Sequence, residues 1–172
     1  MSRARSRAIK VFKRAVDKAH DILASKITIY YKSGDLVSCP TCDWDPVLKE
    51  SLDPNCPACN GNFYLVEILT KIIDATVAWG GLGDQYRQIN VPGGPLDVND
   101  ACISCKLADV LVDPSSTAGN TILHPGIAVK IDIGGDFVTP LTTPIKSGIA
   151  GEFYTAAVRA RKEVNPLDTD AS

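Results

Sequence analysis

Ile27-Thr28-Ile29-Tyr30-Tyr31, Cys39-Pro40-Thr41-Cys42, Cys56-Pro57-Ala58-Cys59 and Phe63-Tyr64-Leu65-Val66-Glu67-Ile68-Leu69 follow one another along the chain, and this succession decides the fold. The outer two segments are β-branched and aromatic and read as strands, the second running on through Lys71 to Trp79. Lys32-Ser33-Gly34-Asp35 ends the first as a turn. The inner two are matched Cys-Pro-x-Cys turns with thirteen residues between them. The cysteine segment therefore reads as an insertion at the tip of a hairpin.

Each Cys-x-x-Cys turn aims two sulfurs at a common point. Cys39, Cys42, Cys56 and Cys59 together offer four thiolates to one zinc ion per chain. A full set of four protein ligands leaves no place for a substrate, so the metal is a staple and not a catalyst. Asn60-Gly61 suits a tight turn whose amides point at the sulfurs, and Trp44 suits a cap on the small core around the metal. Two other uses of the cysteines are open. A thioredoxin-like redox site needs one such motif between strand and helix, whereas here there are two, with Pro46, Pro54 and Pro57 breaking any helix. Disulfides need an oxidising compartment, and Met1-Ser2-Arg3-Ala4-Arg5-Ser6-Arg7 lacks the apolar core of a signal peptide.

The 172 residues are 45% hydrophobic and 22% charged, which suits one domain with a small appendage. No apolar run approaches the roughly 20 residues that cross a bilayer, so a soluble protein made in the cytoplasm is expected. The net charge of -2 conceals an asymmetry, with eight Lys/Arg against two Asp in residues 1–26 and ten against eighteen acids beyond them. From Ser6 to Ser25 the spacing predicts an amphipathic helix. Ile9, Phe12, Val16, Ala19 and Leu23 form a docking side, and Lys10, Lys13, Arg14, Asp17, Lys18 and Asp21 form a charged side. That charged side is either simply solvated or laid on an acidic protein or phosphates. Without Trp on the apolar side, a membrane surface is disfavoured.

Further strands are predicted at Ala101–Val112, Ile127–Ile133, Asp136–Pro140 and Glu152–Arg161, with Gly134-Gly135 as a hairpin turn. The expected fold is mainly β with an N-terminal α-helix: a small antiparallel β-barrel or sandwich carrying an inserted four-cysteine zinc loop. Its organisation is an N-terminal helical arm (1–26), a β domain (27–164) with the zinc module at 36–62, and a frayed tail (165–172). The glycines at Gly80-Gly81-Leu82-Gly83 and Pro92-Gly93-Gly94-Pro95 are turns, having neither the lysine nor the following helix of a phosphate loop. On a strand, Cys102 and Cys105 point to opposite faces and cannot chelate one ion. Asp43, Asp45, Asp97 and Asp100 are expected as solvated turn formers, and His124 as a loop residue. No motif of a hydrolase or metalloprotease is present, and no enzymatic activity is expected.

The order of these features resembles the small neck proteins of tailed bacteriophages, the head-completion or head-closure family of head-tail connectors. The resemblance is carried by the basic helix, the cysteine loop between strands, Val77-Ala78-Trp79, Pro92-Gly93-Gly94-Pro95-Leu96-Asp97-Val98-Asn99-Asp100-Ala101 and the Ile131-Asp132-Ile133-Gly134-Gly135-Asp136-Phe137 hairpin. It implies a β-barrel subunit of an oligomeric ring in the virion, joining portal or adaptor to tail, assembled in the host cytoplasm, through which DNA passes without sequence-specific binding. Arg3, Arg5, Arg7, Lys10, Lys13, Arg14 and Lys18 are then the candidate partner contacts, and zinc stabilises a contact loop. The alternative is a zinc-ribbon nucleic-acid-binding accessory protein. A ribbon of that kind needs basic and aromatic residues, yet residues 39–59 hold one lysine, Lys49, against Asp43, Asp45, Glu50 and Asp53.

Overall fold

Period-two alternation builds the core. Ile27 and Ile29, Ile73 and Ala75, Ile103 and Cys105, Ile131, Val138, and Ala156, Val158 and Ala160 all turn inward and form one buried cluster. The computed structural model describes residues 3–45, 47, 50–80, 96–112 and 120–163. They form α1 (Arg3–Leu23), β1 (Ser25–Ser38), β2 (Trp44–Asp45), β3 (Glu50–Ser51), β4 (Tyr64–Trp79), β5 (Asp100–Lys106), α2 (Leu107–Val110), β6 (Ala128–Ile133), β7 (Asp136–Pro140), β8 (Ile145–Ile149) and β9 (Glu152–Lys162). Strands run in the order β5-β4-β1-β6-β7-β9, and β5 pairs again with β9, closing an antiparallel barrel of six strands. Of the two architectures expected, the barrel is the one adopted. Its inside is filled by large Ile and Val side chains set against the small alanines of β9.

The chain divides into two compact units, Lys32–Leu69, and Met1–Tyr31 with Thr70–Ser172. Strands β1 and β4 belong in part to each. Lys32-Ser33-Gly34-Asp35 does not end β1: the strand continues to Ser38, with Gly34 at φ 87° and the Ser33 hydroxyl accepting from the Asp35 amide at 3.1 Å. Glycine supplies the left-handed conformation there, so turn chemistry is absorbed as a local kink. The segment 101–112 is likewise not one strand, since the chain turns after Lys106 into the single turn of α2, which buries Leu107 and Val110 under the barrel end. The Gly134-Gly135 hairpin is as expected, with both residues at positive φ and the Gly135 amide donating to Asp132 Oδ1 at 2.7 Å. The sequence reading missed β8, an exposed strand that pairs with β9 beyond the end of β7. The tail at 165–172 and the turns at 81–95 lie outside the described residues.

α1 docks on the β8–β9 hairpin through mixed contacts. Phe12 meets Tyr154 edge-on at 6.4 Å, and the Tyr154 hydroxyl donates to Asp17 at 2.7 Å. Lys106 pairs with Asp17 at 2.9 Å, Lys13 with Glu152 at 3.8 Å, and the Arg5 guanidinium donates to the Ala150 carbonyl. The docked side is therefore Ile9, Phe12, Lys13, Val16, Asp17 and His20, whereas Ala19 and Leu23 are exposed. At about 100° per residue, His20 falls about 20° from Ile9 around the helix and Ala19 about 80°. A stripe read from apolar residues alone overlooks the polar groups that select the face.

Asp100 is the clearest departure from expectation. It is fully buried, 0% exposed, and held between two arginines of β9. Arg159 Nε donates to its Oδ2 at 2.7 Å and Arg161 Nε to its Oδ1 at 2.8 Å, while Asp97 stays exposed and takes a second Arg159 nitrogen at 3.0 Å. The Arg161 hydrogen bond, aided by Arg159 and opposed by burial, holds the Asp100 carboxyl below the usual carboxylate range.

Two stability changes are expected. Ile103→Ala removes a fully buried side chain from the barrel centre and should cost about 3 kcal/mol in urea unfolding. Asp100→Asn strands the arginines and should cost a comparable amount, about 3 kcal/mol. Because the folded pKa of Asp100 is depressed, its contribution is complete above the unfolded value of 3.8 and is lost as pH falls through the lower folded value. The variant should accordingly narrow its deficit in acid below about pH 4, and an unchanged deficit there would remove Asp100 from this role.

Candidate metal centre

The four cysteines of the two turns converge. Their sulfurs all lie within 4.8 Å of one another and all four residues are buried. Cys39 and Cys56 sulfurs stand 3.8 Å apart, and Cys42 and Cys59 sulfurs 3.3 Å apart. Thiolates about 2.3 Å from a tetrahedral ion stand about 3.8 Å from each other. The separations match four ligands around one point and exceed the roughly 2.05 Å of a disulfide bond. Cys39, Cys42, Cys56 and Cys59 thus form one site that could hold a metal ion, assembled as the spacing predicts.

The local chain explains why the sulfurs stay aligned. The Thr41 hydroxyl lies 3.1 Å from the Cys39 sulfur and 3.2 Å from that of Cys56, bridging the two turns. Asn60-Gly61 does form a turn, with φ of 50° and 78°, but the Asn60 amide bonds the Cys56 carbonyl at 2.8 Å and not a sulfur. Gly61 is required twice over, because a Cβ there would stand 2.6 Å from the Pro54 carbonyl oxygen. Cys39 is further tied by its amide to the Phe63 carbonyl at 2.6 Å.

Charge within the quartet is shared unequally. Hydrogen bonding from Cys42, then from the Thr41 hydroxyl and the backbone amides, draws the Cys56 thiol down to about 6. The Cys39 thiol is lowered as well, chiefly by the Thr41 hydroxyl. Cys42 is pushed up to about 12, first by Cys56 and then by burial. Four adjacent thiolates repel, so one sulfur keeps its proton unless a cation replaces it. That donor set fits a soft divalent ion in a closed structural site.

Around the sulfurs, Phe63 and Leu65 supply the apolar packing, and Trp44 stacks on Phe63 and Tyr64 with ring centroids 5.0 and 5.8 Å away. Trp44 caps this small core through Phe63. The β2–β3 ribbon pairs Trp44 with Ser51, whose hydroxyl donates to the Asp53 carbonyl at 3.1 Å and accepts the Asp53 amide at 3.2 Å. Thr41 was not legible as a sulfur partner, since nothing in its sequence context separates it from an ordinary turn residue. Asp45 and Asp53 cap the Val47 and Asn55 amides at 2.7 and 3.1 Å, the expected work of turn formers.

Other groups singled out in sequence lie elsewhere. Cys105 points into the barrel core, pushed up to about 12 by burial, and Cys102 belongs to the other face of β5. His124 accepts the Gly126 amide on Nδ1 at 3.0 Å and closes its loop. His20 is buried in the α1 contact, beside a cavity of about 220 Å³ lined also by Asp21, Ala24, Asp74, Lys106 and Asp109. Of the candidate partner contacts, Arg5 and Lys13 bind the chain's own β8–β9 hairpin. Arg3, Arg7, Lys10, Arg14 and Lys18 are exposed and have no ion partner among the described residues.

No family model, curated protein or solved structure matches the chain. Among the described residues, no helix is long and apolar enough to cross a membrane.

The metal site predicts a simple stoichiometry. Freshly isolated, reduced protein should contain one equivalent of a divalent metal, released by a strong chelator together with four alkylatable thiols. Cys42→Ser should lower metal content severalfold and expose the loop to limited proteolysis while leaving the barrel's unfolding transition in place. Metal-free protein with four thiols that alkylate at once would remove the site.

Proposed function

We propose that this chain is a structural, non-catalytic subunit of a tailed-phage neck, added as a ring between portal or adaptor and tail, with zinc as the ion in its four-cysteine site. The observation that carries the proposal is the two-sidedness of α1. One side is fastened to the barrel by Ile9, Phe12, Lys13, Asp17 and His20, and the other presents five exposed cations over about 22 Å of helix. A helix fastened in this way is a rigid contact surface, unlike a tail that must order itself on binding.

The chemistry of the buried groups points the same way. All four cysteine sulfurs are enclosed and mutually satisfied, which suits a staple. Asp100, the one fully buried carboxylate among the described residues, is spent on Arg159 and Arg161 and has no freedom to act as acid or base. An acidic body, ten Lys/Arg against eighteen Asp/Glu after residue 26, would let DNA slide past without holding it. The same acidity weighs against the zinc-ribbon nucleic-acid alternative.

Purified protein mixed with portal-bearing capsids that lack a neck should co-sediment with them, and electron microscopy should show an added ring. Binding to duplex DNA at physiological salt should be weak by comparison. Tight DNA binding with no addition to capsids would replace this proposal by the nucleic-acid alternative.

A further inference from the structure

The two compact units carry opposite charge. Helix α1 holds seven Lys/Arg against two Asp, whereas residues 32–69 hold Lys32 and Lys49 against Asp35, Asp43, Asp45, Glu50, Asp53 and Glu67. Each unit also leaves apolar side chains uncovered beside its charges. On α1 these are Val11 and Ile22, 66% and 70% exposed. On the cysteine unit they are Tyr64, Val66 and Ile68, which alternate along β4 and so share one face, together with Val37 of β1. Exposed apolar side chains on an element whose charge is mainly of one sign suit an interface that excludes water while its charge selects the partner.

We infer that the basic face of α1 in one copy binds the acidic cysteine unit of the next copy, and that this is the lateral contact of the ring. The inference rests on the neck proposal and names the partner for the helix face that proposal leaves free. A second copy is favoured because the chain itself carries the complementary surface. Around the helix, Arg3, Arg7, Lys10, Arg14 and Lys18 follow one another at steps of three and four, so they form one stripe opposite the docked side. Two such stripes repel, so a symmetrical pairing of helix on helix is disfavoured. Stripe on acidic unit joins two different patches, which is a heterologous contact, and such contacts generate rings when the rotation closes. The metal site gives this contact its solidity, because the acidic residues between Cys39 and Cys59 sit on a segment whose core, among the described residues, is the sulfur cluster with Phe63 and Leu65.

The test uses full-length, metal-loaded protein. One variant reverses the stripe (Arg7→Glu, Arg14→Glu, Lys18→Glu), and a second reverses the acidic unit at Asp35→Lys and Glu67→Lys, both exposed and outside the two cysteine turns. Assembly is read as sedimentation of the free protein over a concentration series and as subunits added per portal-bearing capsid. Metal content and thermal unfolding confirm that each variant is folded. Each variant alone should lose assembly by about tenfold or more, an equimolar mixture should regain it, and raising salt from about 0.05 to 0.5 M should weaken the wild type. Regain on mixing cannot come from misfolded partners. If the wild type adds to capsids and both variants add equally well, the neck proposal stands and the lateral contact is overturned. If the stripe variant loses only duplex DNA binding, phosphate is the occupant and the inference falls. A wild type that neither self-associates nor adds to capsids overturns both.

Discussion

The pairing of β5 with β9 is the constraint on which the barrel depends. Seven consecutive residue pairs, from Asp100–Arg161 to Lys106–Thr155, join a strand from the middle of the chain to one near its end. Without that seam the six strands would be an open sheet with two bare edges and its apolar face in water. With it, Ile103 and Cys105 of β5 face Ala156, Val158 and Ala160 of β9 across a closed interior. Asp100 and the arginines lie at one end of the same seam, so the barrel is shut by burial along its length and by charge at its rim. A seam between distant segments must await long loop closure, and it is the slowest kind of contact to form.

Much of this was legible in the sequence, and the parts that were not share a cause. The cysteine site was readable because metal ligation imposes a spacing that survives without any knowledge of the fold. The β-branched and aromatic runs at 27–31 and 63–79 announced strands, and the two glycines at 134 and 135 announced a turn. The barrel's closure was not readable, because the pairing of β5 with β9 depends on residues 49 to 61 positions apart. Asp100 looked like one more aspartate in a turn-rich stretch, since the arginines that bury it arrive only with β9. The docked face of α1 was misjudged for the same reason: Asp17 and Lys13 face inward because Tyr154, Lys106 and Glu152 meet them there.

The two compact units solve the problem of stability differently. The larger has enough apolar alternation to bury a core. The smaller, Lys32–Leu69, substitutes convergence of four sulfurs for hydrophobic area, with the Thr41 hydroxyl set between the Cys39 and Cys56 sulfurs. Small segments with little core commonly depend on a metal or a disulfide in this manner. Its surface is consequently free to carry acidic and apolar residues that a packed core would have required elsewhere.

Only Ala24 separates the last residue of α1 from the first of β1, and its amide still completes the helix by bonding the His20 carbonyl at 2.9 Å. There is no slack at this joint. A pull on the helix is therefore passed directly to β1, which ladder bonds to β4 and β6 hold in the barrel. Helix and barrel thus bear load as one mechanical piece.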